Sequence, residues 1–201
     1  MKALSLIINP MLMPTLIFTV VFYFAPEAAK PLNLDQAPEL LLAVALTTIL
    51  IPAISLGTLR FTSTISSFWL ENRNERILPF AFMAVFYGLT AFMFITRIKV
   101  NGFLTVILIT MTLMVVVVTI VTIYWKISVH ATAICGLVGF IIGLSFKVPS
   151  TDLLYPLAMS IILAGAVMSA RLSLNAHTPG QILVGSIVGL SMGIGSILIF
   201  T

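Results

Sequence analysis

The stretch Phe103-Leu-Thr-Val-Ile-Leu-Ile-Thr-Met-Thr-Leu-Met-Val-Val-Val-Val-Thr-Ile-Val-Thr-Ile-Tyr124 decides the class of fold. It carries no charge, and as a helix it exceeds the roughly 20 apolar residues that cross a bilayer. A span of this kind satisfies its backbone hydrogen bonds within itself, which is what lipid demands. Working outward, six further apolar segments appear, at about 6–25, 40–58, 79–96, 130–147, 152–170 and 181–200. The whole chain agrees: of 201 residues, 60% are hydrophobic and 8% charged, against roughly 25% charge in a soluble domain. A water-soluble globular protein, a disordered tail and a secreted disulfide scaffold are excluded. The expected fold is all-α, a polytopic transmembrane helical bundle of six to seven spans forming one domain over residues 1–201.

The first segment follows Met1-Lys2 and precedes Ala25-Pro-Glu-Ala-Ala29, which superficially suits a signal peptide. Its length and the prolines at 10 and 14 favour a retained helix, bent at those prolines. Asp35 is placed to cap the second helix. Gly185, Gly189 and Gly193 form a four-residue stripe for close helix approach. Cys135, the one cysteine, lies in an apolar helix and is read as packing. The cations fall one to three at a time between apolar runs, so the net charge of +4 describes loops, not a nucleic-acid surface.

Parity of the spans is informative. The polar clusters at 59–78, 125–130 and 171–181 follow spans two, four and six, so all three meet on one membrane face with the N-terminus. They read Glu71-Asn-Arg73-Asn-Glu75-Arg76-Ile-Leu-Pro79, then Trp125-Lys126-Ile-Ser128-Val-His130, then Arg171-Leu-Ser-Leu-Asn-Ala-His177-Thr-Pro-Gly-Gln181. Both histidines of the protein are here. Clustered cations with two imidazoles suit phosphoryl transfer, in which guanidinium forks hold phosphate oxygens and imidazole serves as nucleophile and acid. Ser128, opening a helix, adds backbone donors and the positive dipole end. No metal-ligand spacing such as His-Glu-x-x-His occurs, and no cofactor is implied.

These residues resemble the type 2 phosphatidic acid phosphatase superfamily, whose motifs are Lys-x6-Arg-Pro, Pro-Ser-Gly-His and Ser-Arg-x5-His-x3-Asp. The likeness spans about residues 69–190. It implies a bundle like that family's, with His177 as the nucleophile that becomes phosphorylated and His130 as the acid for the leaving oxygen. It further implies Arg171, Arg76 and Ser128 as phosphate ligands, with Lys126 and Arg73 as weaker candidates. The chain departs from the motifs at several points. Trp69 stands where the first lysine belongs, and the proline arrives late, at Pro79. Ile127 and Val129 replace Pro and Gly, and Ala170 replaces Ser. Gln181 stands where the family has Asp, and two readings of it are open. It orients the His177 ring, or it completes a capping box with Thr178 and Pro179.

The expected activity is metal-independent hydrolysis of a lipid phosphate or lipid pyrophosphate, with membrane lipids and the substrate lipid as partners. The alternative is a catalytically weakened relative that binds or moves a phosphate-bearing lipid. A small-solute transporter fits less well, because the charges sit at helix ends and not near the midplane. Arg73 and Arg76 have a structural alternative too, as partners of Glu71 and Glu75. On the motif face lie Lys2, Arg60, Arg73, Arg76, Lys126 and Arg171, and opposite them Lys30, Arg97, Lys99 and Lys147. Six against four favours a cytoplasmic motif face. Without the phosphate ligands Arg76, Lys126 and Arg171 the count is three against four. The family likeness implies an extracytoplasmic active face, in a bacterial inner membrane.

Overall fold

The computed structural model describes residues 8–70, 72–148 and 151–200. Its helices are α1 (Met13–Phe24), α2 (Leu34–Phe61), α3 (Asn74–Ile98), α4 (Gly102–Tyr124), α5 (Val129–Lys147), α6 (Leu154–Ser173) and α7 (Pro179–Phe200). Helices α2 to α7 are each long and apolar enough to cross a membrane, and the chain is an integral membrane protein built as a helical bundle. Large apolar side chains such as Leu42, Ile54, Phe92, Ile162 and Ile199 point outward, where lipid is their solvent.

Helix α1 is shorter. Asn9 caps a 3-10 turn at Pro10–Leu12 by accepting from the Met11 N–H at 3.0 Å, and the α-helix follows at Met13. Pro10 and Pro14 both fall in first turns, where the missing N–H costs no hydrogen bond. They start the helix instead of bending it, contrary to the sequence expectation. From Pro10 to Phe24 the rise is about 22 Å, less than the ~30 Å hydrocarbon core. The chain continues through the turn Pro26–Ala29, and the Asn101 side-chain amide donates to the Ala28 and Lys30 carbonyls at 2.9 and 2.6 Å. Asn101 also caps α4 through the Leu104 N–H, so it pins the end of α1 to the end of the bundle opposite the polar clusters.

Helix α2 contains Pro52 yet runs unbroken. The turn before it widens to π geometry at Leu46–Leu50, which rearranges the ladder where the proline lacks a donor. The start of α2 is held by Asn33, whose N–H donates to Gln36 Oε1 at 3.0 Å. Asp35 lies within that first turn and does not cap it.

The core helix is α5, and α7 lies hard against it. A Cβ at Gly193 would meet the Gly136 carbonyl at 2.6 Å, and one at Gly139 the Leu190 carbonyl at 2.6 Å. At Gly185 it would meet the Ser128 carbonyl at 2.8 Å. The small-residue stripe of α7 thus lets two backbones touch, and it joins the helices whose first turns carry His130 and Gln181. The Ser128 N–H donates to the Gln181 carbonyl at 3.3 Å, tying those two helix starts together.

Candidate functional site

The site grows from the corner between α6 and α7. Helix α6 stops with Asn175 in the left-handed region (φ 49°), a conformation that Asn tolerates better than most side chains. The Asn175 N–H donates to the Leu172 carbonyl at 2.9 Å and the Ala176 N–H to the Arg171 carbonyl at 3.1 Å. This pair of bonds is the Schellman stop. Helix α7 then begins with a complete capping box. The Gln181 N–H donates to Thr178 Oγ1 at 3.4 Å, and the Thr178 N–H donates to Gln181 Oε1 at 3.3 Å. His177 is the one residue between the stop and the cap. The five residues separating Arg171 from His177 are therefore those a Schellman stop requires. The spacing is a geometric device that turns the chain and returns the imidazole to the level of the arginine.

Gln181 performs both of the roles open to it in sequence, in one conformation. Its Oε1 also lies 3.0 Å from His177 Nδ1. A backbone N–H only donates, so the atom facing Thr178 is the amide oxygen, and an oxygen with no proton fixes Nδ1 as the protonated ring nitrogen. The lone pair is then on Nε2. Burial pushes the His177 pKa down to about 3; the Gln181 contact opposes this, and the charges of Arg76, Arg171 and Lys126 reinforce it. The ring is neutral at pH 7, with a nucleophilic nitrogen among three cations.

Arg76, Arg171 and His177 are only 5%, 8% and 7% exposed, and they converge on one cavity of about 130 Å³. A water needs ≳ 10–15 Å³ of such volume, so the cavity admits several waters or a tetrahedral anion. Half-buried His130, the second residue of α5, lines it too. Arg76 Nε donates to the Leu70 carbonyl at 2.6 Å, and the guanidinium lines the cavity. Arg171 Nε is buried with no hydrogen-bond partner, a state that costs about 1–3 kcal/mol or more for a charged group. Among the described residues neither arginine has an ion pair. Two buried guanidiniums on one cavity make it cationic and suit it to an anion. Lys126 stands further out, in an adjoining chamber with Trp69, Arg76, Arg171 and Asn175.

Other expected residues are placed differently. Arg73 Nη1 donates to the Tyr124 carbonyl at 2.6 Å, so it caps the C-terminus of α4 and lines none of these cavities. Glu75 Oε2 accepts from the Ser66 N–H and hydroxyl, both at 2.8 Å, and is a loop clamp, not a partner of the arginines. Glu71 lies outside the described residues. Ser128 is fully buried as the N-cap of α5, with Oγ accepting from the Ala131 N–H at 3.4 Å. It holds His130 in place from behind the cavity wall. Sequence reasoning missed Asn9 and the Leu70 carbonyl, which reach the site only through folding. It also missed Asn175, for which an Asn four residues past a helix-ending Arg was the available signal. No family model, curated protein or solved structure matches the chain.

Proposed function

We propose that the protein is a membrane-embedded lipid phosphate or lipid pyrophosphate phosphatase that works through a phosphohistidine at His177. The observation that carries this reading is the neutral, Nδ1-protonated His177 in a buried cavity with Arg76 and Arg171, one of which has an orphaned donor. In the first step the Nε2 lone pair attacks phosphorus. The bond from phosphorus to the lipid-side oxygen breaks, and protonated His130 gives its proton to that oxygen. Arg76 and Arg171 bind the phosphoryl oxygens as charge develops on them, while the phosphorylated ring keeps its Nδ1–H on Gln181. In the second step water attacks phosphorus, His130 takes its proton, and the phosphorus–nitrogen bond breaks to release phosphate. In this reading the active face lies outside the cytoplasm, in a bacterial inner membrane, as the resemblance of the motifs implies.

The test is phosphate release from lipid phosphates by the purified protein in EDTA, with His177→Ala as control and an acid-labile, base-stable phosphoryl adduct as the signature. Turnover lost in His177→Ala supports the reading. Binding of lipid phosphate with no turnover on any lipid phosphate or pyrophosphate overturns it. The uncharged Gln181 and the aromatic Trp69, at positions where the resembling family has a carboxylate and a lysine, favour a second reading. In it the same cations bind or move a phosphate-bearing lipid without hydrolysis.

A further inference from the structure

The site cavity adjoins a second, almost purely apolar one. The two share Pro10, Phe80, Met83 and Val129 as walls, so only these side chains separate the cationic mouth from a hydrocarbon interior. The inner part runs between α1, α3, α4 and α5, with Gly193 of α7 on its floor. Along α5 its walls extend from Val129 to Phe140, about 16 Å at 1.5 Å per residue. Half of a ~30 Å hydrocarbon core is about 15 Å. The slot is therefore about as long as one leaflet is deep. Its walls include Met13, Met83, Met111 and Met114, flexible thioether chains that mould to an apolar partner. Tyr87, only 5% exposed, presents its ring to the slot as well. A bundle selected only for packing would fill this volume.

We infer that this slot holds one hydrocarbon chain of the lipid whose phosphate occupies the cationic mouth. The chain lies between the helices of the bundle, with the Tyr87 ring alongside it. This inference rests on the proposed reading for the identity of the head group. The slot itself takes a chain whether or not the phosphate is hydrolysed. A lipid with one short chain per phosphate fits it entirely, a longer chain protrudes, and a two-chain lipid leaves its second chain outside.

The experiment is photolabelling of the full-length protein in detergent with dodecyl phosphate bearing a diazirine at the chain terminus, followed by peptide mapping. The expected labels are inner slot residues such as Tyr87, Ile107, Met111 and Phe140, displaced by unlabelled dodecyl phosphate and not by dodecanol. Ala133→Phe, which places a ring in the slot, is expected to lower that labelling at least tenfold. Labels confined to outward-facing residues such as Ile54 or Ile162 overturn the slot, whatever the hydrolysis assay shows. Slot labels displaced equally well by dodecanol uphold the chain site and overturn the phosphate reading of its mouth. Unchanged slot labelling in both Ala133→Phe and a second filling variant, Val118→Phe, also overturns the inference.

Discussion

Replacing Gln181 by Glu changes one atom of the site and one unit of charge. Glu serves a capping box as well as Gln does, so α7 keeps its first turn and thermal stability stays within about 1 kcal/mol of the parent. The electrostatics of His177 do not stay put. A carboxylate oxygen about 3.0 Å from Nδ1 puts the charge centres roughly 4 Å apart, an attraction of about 4 kcal/mol at an effective dielectric of 20. At about 1.4 kcal/mol per pH unit, that favours the imidazolium by about three units, and desolvation of the new carboxylate takes back part of it. The His177 pKa is expected to rise from about 3 to between about 5 and 6, by the Coulomb estimate above. The chain has two histidines, so the ring spectrum of histidine-labelled protein in micelles contains two sets of signals. His130→Gln assigns them. In the parent, His177 is expected as the Nδ1–H tautomer, neutral down to about pH 4 on the same burial argument. A parent His177 that titrates near 6.5, or carries its proton on Nε2, refutes the geometry argued for Gln181. Gln181→Glu without an upward shift refutes the electrostatics.

Further outcomes follow from the same geometry. His177 is pushed down on folding, so between about pH 3 and 6.5 the unfolded chain binds the extra proton and stability falls as pH falls, by at most about 1.4 kcal/mol per pH unit. That slope should shrink in His177→Asn when melting is followed across pH. Arg171→Lys removes the orphaned Nε and the planar fork, and should weaken inorganic phosphate binding at least tenfold. Arg73→Ala, which alters only the cap on α4, should leave that affinity within twofold in the same titration. Asn175→Val forces a β-branched residue into φ 49° and should cost about 1–3 kcal/mol in melting experiments, whereas Asn175→Gly should cost nothing or stabilise. Gly185→Val pushes a side chain into the Ser128 carbonyl, already 2.8 Å from an added Cβ. It should cost about 1–3 kcal/mol and loosen the pairing of the two helix starts, read as faster amide exchange at Ser128.

What the amino-acid order determines here is whatever depends on short range. The spans are legible because a lipid-facing helix needs only a sufficient length of apolar residues, and residues 103–124 supply it without interruption. The Arg171–His177 unit is legible for a related reason. A Schellman stop and a capping box close within a dozen residues, so their spacing survives in the linear order. Parity alone brought three polar clusters to one face, since each crossing reverses the chain. Within that face, local pattern was silent. Arg73 and Arg76 are three residues apart on neighbouring turns, yet one meets the end of α4 and the other is buried beside Arg171. Which guanidinium reaches the cavity depends on how α3 is rotated against α4. Glu75 looked equally ready to pair with either arginine and is held by Ser66 across a loop. The apolar slot beneath the cations belongs wholly to the tertiary structure. It is the space left where four helices fail to meet, and no segment of the chain records a gap among its neighbours.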